Sequence, residues 1–146
     1  MAKKYSSTIF SPKNPEKYVG NSSIKCRSSW ELSCCLCFDN NPAILQWASE
    51  PFMVPYRNPF TGKNTIYVPD FLIVYMDKSG KKHAEILEIK PKKETAMENT
   101  RSPRDRAAAV LNMAKWQACQ AWCAQQGLHF RIVTEDDIFA GTKKSK

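Results

Sequence analysis

The sequence predicts an α/β domain whose elements run helix, three strands, helix, strand. Three observations carry that expectation. Ile66 to Tyr75 and Glu85 to Lys90 are apolar, β-branched or alternating runs, joined by a polar, glycine-containing connection from Met76 to Lys82. Between Arg104 and Gln126 an apolar stripe of Ala107, Val110, Leu111, Ala114, Ala118, Ala121 and Trp122 follows helical spacing, and Gly127 closes it. The chain has 146 residues and 42% hydrophobic content, which suits one domain with its own core.

In chain order, residues 1–25 are polar and proline-bearing and are expected to form a basic, partly ordered N-terminal arm. The folded domain is expected at 26–140, with a basic tail at 141–146. A helix from about Ser28 to Asn40 has serines to cap its start, and Asn40-Asn41-Pro42 ends it. Ala43 to Trp47 reads as a short helical turn before a strand around Phe52 to Tyr56. Asn58-Pro59-Phe60-Thr61-Gly62-Lys63 is a turn sequence leading into the strand that carries Asp70. Pro69 cannot donate to a ladder, so the chain is expected to bend where Asp70 projects. Pro91 to Pro103 is charged and aperiodic and is expected as a mobile loop. Leu128 to Val133 reads as a final strand. Glu135-Asp136-Asp137 starts a terminal helical turn capped by Thr134, because consecutive carboxylates diverge around a helix and favour its positive end.

The net charge is +8, and the excess is uneven. Lys3, Lys4, Lys13, Lys17, Lys25 and Arg27 crowd the start, while Lys78, Lys81, Lys82, Lys92, Lys93, Arg101, Arg104 and Arg106 flank the motif strands. A polyanion is the expected partner, and DNA contacts are assigned to Lys25, Arg27, Lys92, Lys93, Arg101 and Arg104. No apolar run approaches the roughly 20 residues that span a bilayer, and no signal-peptide core follows the start, so a cytosolic protein without a membrane partner is expected. Six cysteines then read as free thiols. Cys34-x-x-Cys37 and Cys119-x-x-x-Cys123 have spacings compatible with zinc, but both pairs lie in predicted helices where such neighbours are ordinary packing positions. His83 and His129 have no acidic or histidine partner at a recognisable spacing.

Chemistry concentrates in Val68-Pro69-Asp70-Phe71 and Glu85-Ile86-Leu87-Glu88-Ile89-Lys90. Strand side chains alternate, so Glu88 and Lys90 share a face with Ile86 while Leu87 and Ile89 take the other. Glu85 falls on the wrong face to replace Glu88. Two carboxylates and an ammonium on neighbouring strands are the minimum equipment for metal-dependent cleavage of a phosphodiester. Glu31, in the first turn of the first helix, has an ordinary reading as a residue that complements the helix dipole.

Pro-Asp, a spacer and Glu-Ile-Lys resemble the PD-(D/E)xK nuclease superfamily, with Asp70, Glu88 and Lys90 on its signature positions. Arg27-Ser28-Ser29-Trp30-Glu31 resembles the string found in phage head-completion nucleases and in end-cleaving nuclease subunits of some transposons. The lysine-rich start, Pro12 to Tyr18, Pro55-Tyr56-Arg57-Asn58-Pro59, Tyr67 to Phe71 and Glu88-Ile89-Lys90-Pro91-Lys92 follow in the order seen in the head-completion nucleases of tailed bacteriophages, over nearly the whole chain. That resemblance implies a restriction-endonuclease-like αβββαβ core with a central mixed sheet flanked by helices. It implies Glu31 as an additional catalytic residue beside Asp70, Glu88 and Lys90. The metal is expected to be Mg2+, with Mn2+ as a substitute, held by Asp70, Glu88, the Ile89 backbone carbonyl and Glu31. The resemblance further implies a DNA nuclease of head completion, in the host cytoplasm or associated with the virion, with phage head or neck proteins as partners. A non-catalytic DNA-binding capsid plug and a transposon- or host-associated endonuclease subunit are the alternatives. Lys115 and Gln117 on the second helix are left outside the site, and no oligomeric state is assigned.

Overall fold

The computed structural model describes residues 7–20, 23–92 and 102–137. Lys93, Arg101, the 141–146 tail and most of the Pro91 to Pro103 loop lie outside the described residues. In chain order the elements are β1 Thr8–Phe10, β2 Ile24–Cys26, α1 Ser29–Asn40, β3 Ile44–Ser49, β4 Val54–Arg57, β5 Asn64–Tyr67, β6 Phe71–Met76, β7 Lys82–Ile89, α2 Pro103–Gln125 and β8 His129–Val133. Among the described residues the main sheet has the order β3-β6-β7-β8. β3, β6 and β7 are antiparallel neighbours, and β8 joins β7 in parallel, so the sheet is mixed. The helix, strand, strand, strand, helix, strand order holds.

Alternation along β7 sorts the core into two layers. Leu87 packs with Cys34, Cys35 and Phe38 of α1 and with Trp47, Phe71 and Val133. Ile86 packs with Trp116, Cys119 and Cys123 of α2 and with Val54 and Tyr67. The helices therefore cover opposite faces, and the two cysteine pairs sit on opposite sides of the sheet. α1 starts on Ser28, whose hydroxyl accepts the Glu31 N–H at 3.1 Å, and α2 starts on Ser102, which accepts the Asp105 N–H at 3.0 Å.

Three expectations are corrected and one is met. Residues 44–49 form β3, not a helical turn, and β3 is the first strand of the main sheet. A register shift between Ile44 and Gln46 interrupts the ladder, and beyond it Trp47 and Ala48 take opposite faces that are both covered, so two neighbours are buried and no period of two shows in the sequence. The strand expected near Phe52 to Tyr56 is β4, which pairs with β5 in a separate ribbon. The run from Ile66 to Tyr75 is divided around Val68 to Asp70 into β5 and β6, which agrees with the bend expected at Pro69. The fully buried residues of α2 are Ala109, Trp116, Cys119 and Cys123, none of them in the predicted stripe, although Ala118 and Trp122 of that stripe pack against the same core. Alanines lie on most sides of that helix, so spacing alone did not select the packed face.

The described part of the expected N-terminal arm packs onto the domain. Ile24 and Cys26 are buried, Tyr18 stacks edge-on against Trp47 at 4.8 Å, and the Asp39 carboxylate at the end of α1 accepts the N–H groups of Lys13 and Asn14 at 2.8 and 3.0 Å. Asp39 is 2% exposed, so its removal strands two backbone donors. Asp39→Ala is expected to lower unfolding free energy by about 2–3 kcal/mol, read from urea denaturation. His83 also acquires a partner that spacing did not suggest. The Asp77 to Lys81 turn folds back so that His83 Nε2 meets Asp77 Oδ2 at 2.7 Å. The terminal turn is capped as expected: Thr134 Oγ1 accepts the Asp136 N–H at 3.3 Å, and Asp137 Oδ2 accepts the Thr134 N–H at 3.0 Å.

Candidate active site

The site begins with ladder register. Phe71 faces Leu87 across β6 and β7, and continuing by one residue sets Asp70 opposite Glu88. Directly opposed residues of an antiparallel pair hold their Cβ atoms about 5 Å apart. Asp70 lies at the break after Pro69, yet it is anchored: its N–H donates to the Leu87 carbonyl at 3.1 Å, and its Oδ2 accepts the Ile89 N–H at 2.7 Å. Glu88 is 8% exposed, and its Oε1 accepts the Tyr67 hydroxyl at 2.5 Å.

Electrostatics follow from that geometry. Burial first, then the charge of Glu88, push the Asp70 carboxyl from 3.8 up to about 8. Burial also raises Glu88, against the lowering effects of the Tyr67 hydroxyl, Lys90, Asp70 and Lys115. Two desolvated carboxyls side by side accommodate a shared proton or a cation, not two bare charges. Their oxygen donors fit a hard divalent ion. Lys90 follows Glu88 on the same face of the strand, and its N–H continues the β8 pairing through the Val133 carbonyl at 3.0 Å.

Glu31 is placed differently. Its Oε1 accepts the Arg27 N–H at 2.9 Å while Ser28 caps its own N–H, an arrangement close to a capping box. Its charge still contributes to the raised pKa of Asp70. Among the described residues no group of three or more His, Cys, Asp and Glu side chains is assembled as a metal cluster. Of Ile89, it is the backbone N–H that is engaged at Asp70.

The residues assigned to DNA contact diverge. Lys25 and Arg104 are exposed. Arg27 instead reaches Glu50 at 2.5 Å, and Lys92 reaches Asp136 at 3.1 Å, because the fold brings those carboxylates beside them. Exposed pairs of this kind contribute only about 0–1 kcal/mol. Lys93 and Arg101 lie outside the described residues. A groove of about 840 Å³ runs along α1 past Leu36, Ile44, Ile73 and Arg131, on the face away from Ile86. Neither Asp70 nor Glu88 lines it.

Two residues at the site, Tyr67 and Glu50, were not singled out from sequence, and a third, Lys115, was named there but set aside. Tyr67 read as strand hydrophobe, and only its cross-ribbon hydrogen bond to Glu88 reveals its polar end. Lys115 lies one helical turn before Cys119, whose thiol also feels the Glu88 charge. That spacing was the available signal, but it required knowing which side of α2 is buried. Glu50, whose N–H donates to the Asp70 carbonyl at 2.9 Å, adopts a left-handed backbone with φ of 47°. Such a conformation is uncommon for a residue with a side chain.

A family model described as the N-terminal part of TnsA-like endonucleases matches residues 41–135, a span that includes Asp70, Glu88 and Lys90 but not Glu31. The chain is also similar to the head completion nuclease of Enterobacteria phage T4. The two are 36% identical over 141 residues, covering 88% of this chain and 91% of the phage protein.

Proposed function

The chain belongs to the family of TnsA-like endonucleases, and from that premise we propose a divalent-metal-dependent DNA nuclease that acts in phage head completion after DNA packaging. The carrying observation is the register that sets half-buried Asp70 opposite buried Glu88. Asp70 and Glu88 hold the ion, with Mg2+ as the resident metal, Mn2+ as a substitute and the Ile89 carbonyl as a further oxygen donor. The bound ion supplies charge neutralisation at the scissile phosphate and a more acidic water. Lys90 places an ammonium on the same face, where it orients the nucleophile and opposes charge growing on the phosphate oxygens. Glu31 adds negative potential from the start of α1. Lys25, Arg104, Lys93 and Arg101 contribute backbone contacts to DNA, joined by Arg27 and Lys92 once phosphate displaces their exposed partners. The role implies work in the host cytoplasm or on the maturing head, with head or neck proteins as partners. No helix among the described residues is long and apolar enough to cross a membrane.

Incubating closed circular and linear DNA with Mg2+, Mn2+ or EDTA tests the reading. Cleavage that requires the metal supports it. Salt-sensitive binding without any cutting in either metal identifies a capsid plug instead.

Tyr67 gives a narrower expectation. Its hydroxyl holds one Glu88 oxygen, so Tyr67→Phe frees that carboxylate to rotate while keeping the packing of the ring. The variant is expected to need about 10-fold or more additional Mn2+ for half-maximal cleavage, the low end of the roughly 10–100-fold scale for losing a group that orients a metal ligand. Direct Mn2+ titration by electron paramagnetic resonance should show the same shift, with little change in Tm.

A further inference from the structure

The β4–β5 ribbon is set apart from the main sheet and rooted in the carboxylate pair. Its inner face carries Val54 and Tyr67, buried against α2, and the Tyr67 hydroxyl is the donor to Glu88. Its outer face carries Pro55, Arg57, Asn64 and Ile66, all exposed. From Pro51 to Pro69 there is no acidic residue, while Arg57 and Lys63 flank the tip. The tip is pre-organised. Asn58 Oδ1 accepts the N–H groups of Phe60 and Thr61 at 2.8 and 3.2 Å, the Asn58 N–H reaches the Lys63 carbonyl at 2.9 Å, and the Gly62 N–H reaches the Asn58 carbonyl at 2.8 Å. Gly62 takes a φ of 71°, and its carbonyl accepts from Arg57 Nε at 3.1 Å.

This rigid turn presents Phe60, 59% exposed, at its apex, with Ile66 at 54% on the outer face. A large apolar side chain held out by a fixed turn pays a solvation cost that a partner would remove. The acid-free, cationic surroundings favour a polyanion over an ordinary protein surface. Phosphates suit Arg57 and Lys63, and an aromatic ring beside phosphate-binding cations suits a base face. At about 3.4 Å per residue the ribbon reaches roughly 15 Å from Tyr67 toward its tip, comparable to several base steps.

We propose that the β4–β5 ribbon is a DNA grip, in which Phe60 stacks on an unpaired or unstacked base while Arg57 and Lys63 hold the neighbouring phosphates. The proposal rests on the nuclease reading and deepens it, since it makes DNA with locally opened pairing the preferred substrate. Phosphates engaged by the cations and a base engaged by the ring together orient the strand relative to Asp70, three residues beyond the ribbon.

The test is binding measured in EDTA, so that no cutting is required. Fluorescence anisotropy compares a blunt duplex with the same duplex carrying an unpaired 2-aminopurine. The parental protein is expected to prefer the opened substrate and to change 2-aminopurine emission. Phe60→Ala should weaken that binding roughly tenfold and abolish the emission change, while Phe60→Trp retains both. Arg57→Ala with Lys63→Ala should instead reduce the slope of log affinity against log salt by about 2. Thermal melting of each variant excludes misfolding, for which the exposed Phe60 and Lys63 give little reason. The proposal is overturned if the parental protein does not bind in EDTA, or if Phe60→Ala binds the opened substrate within about twofold of parental affinity, as a ribbon built for a protein partner would. Binding with the expected Phe60 dependence but no cleavage in Mg2+ or Mn2+ would sustain the grip and remove the nuclease reading.

Discussion

Asp70→Asn is expected to abolish metal-dependent DNA cleavage, with a loss on the order of 10³-fold or more, while making the metal-free protein more stable. The first effect follows from losing a charged oxygen ligand opposite Glu88. The second follows from the raised pKa. Folding lifts the Asp70 carboxyl from 3.8 to about 8 through burial and the Glu88 charge, so the folded state binds a proton that the unfolded chain releases. The associated stability is fully present below about pH 4 and is lost as pH climbs through about 8. Asparagine carries no such charge. At pH 8 the metal-free variant should therefore exceed the parental protein by on the order of 1–3 kcal/mol, with the difference shrinking toward pH 4. Melting curves across that range check the sign. A variant less stable than the parent at pH 8, or still cutting at the parental rate, would remove Asp70 from its assigned place.

Lys90→Ala is expected to lower single-turnover cleavage by about 10²–10⁴-fold while changing DNA affinity far less. In the proposed mechanism the ammonium acts where charge develops, a contribution larger in the transition state than in the bound ground state. Binding in EDTA and cleavage in Mg2+ on the same substrate separate the two effects. Equal losses in both would make Lys90 an ordinary phosphate contact. Lys90→Arg offers a further discrimination, because a guanidinium preserves charge but not the compact ammonium geometry.

Much of the fold was legible because local chemistry and tertiary packing agree. β7 alternates cleanly, so Leu87 faces α1 and Ile86 faces α2 as period two requires. Ser28 and Gly127 mark helix ends for reasons confined to a few residues of backbone. β3 reads ambiguously because it is covered on both faces, so adjacent Trp47 and Ala48 are both buried, and a short apolar run without alternation fits helix as readily as strand. The packed side of α2 was legible only in part, through Ala118 and Trp122, because alanines make several faces equally apolar, and Trp116 with Cys119 and Cys123 sets the orientation only once a sheet is present to receive them.

The site divides along the same line. Asp70, Glu88 and Lys90 were visible in the primary structure because a motif on two consecutive strands needs only alternation and one hairpin to bring its members together. Tyr67, Lys115 and the Arg27 to Glu50 pair depend on how separate elements dock, and no local periodicity carries that information. The docked fold likewise brings the Glu31 charge to bear on Asp70 and gives that carboxyl its raised pKa. Those properties arise from distances between remote segments and from exclusion of water, quantities that a linear chain possesses only after it has packed.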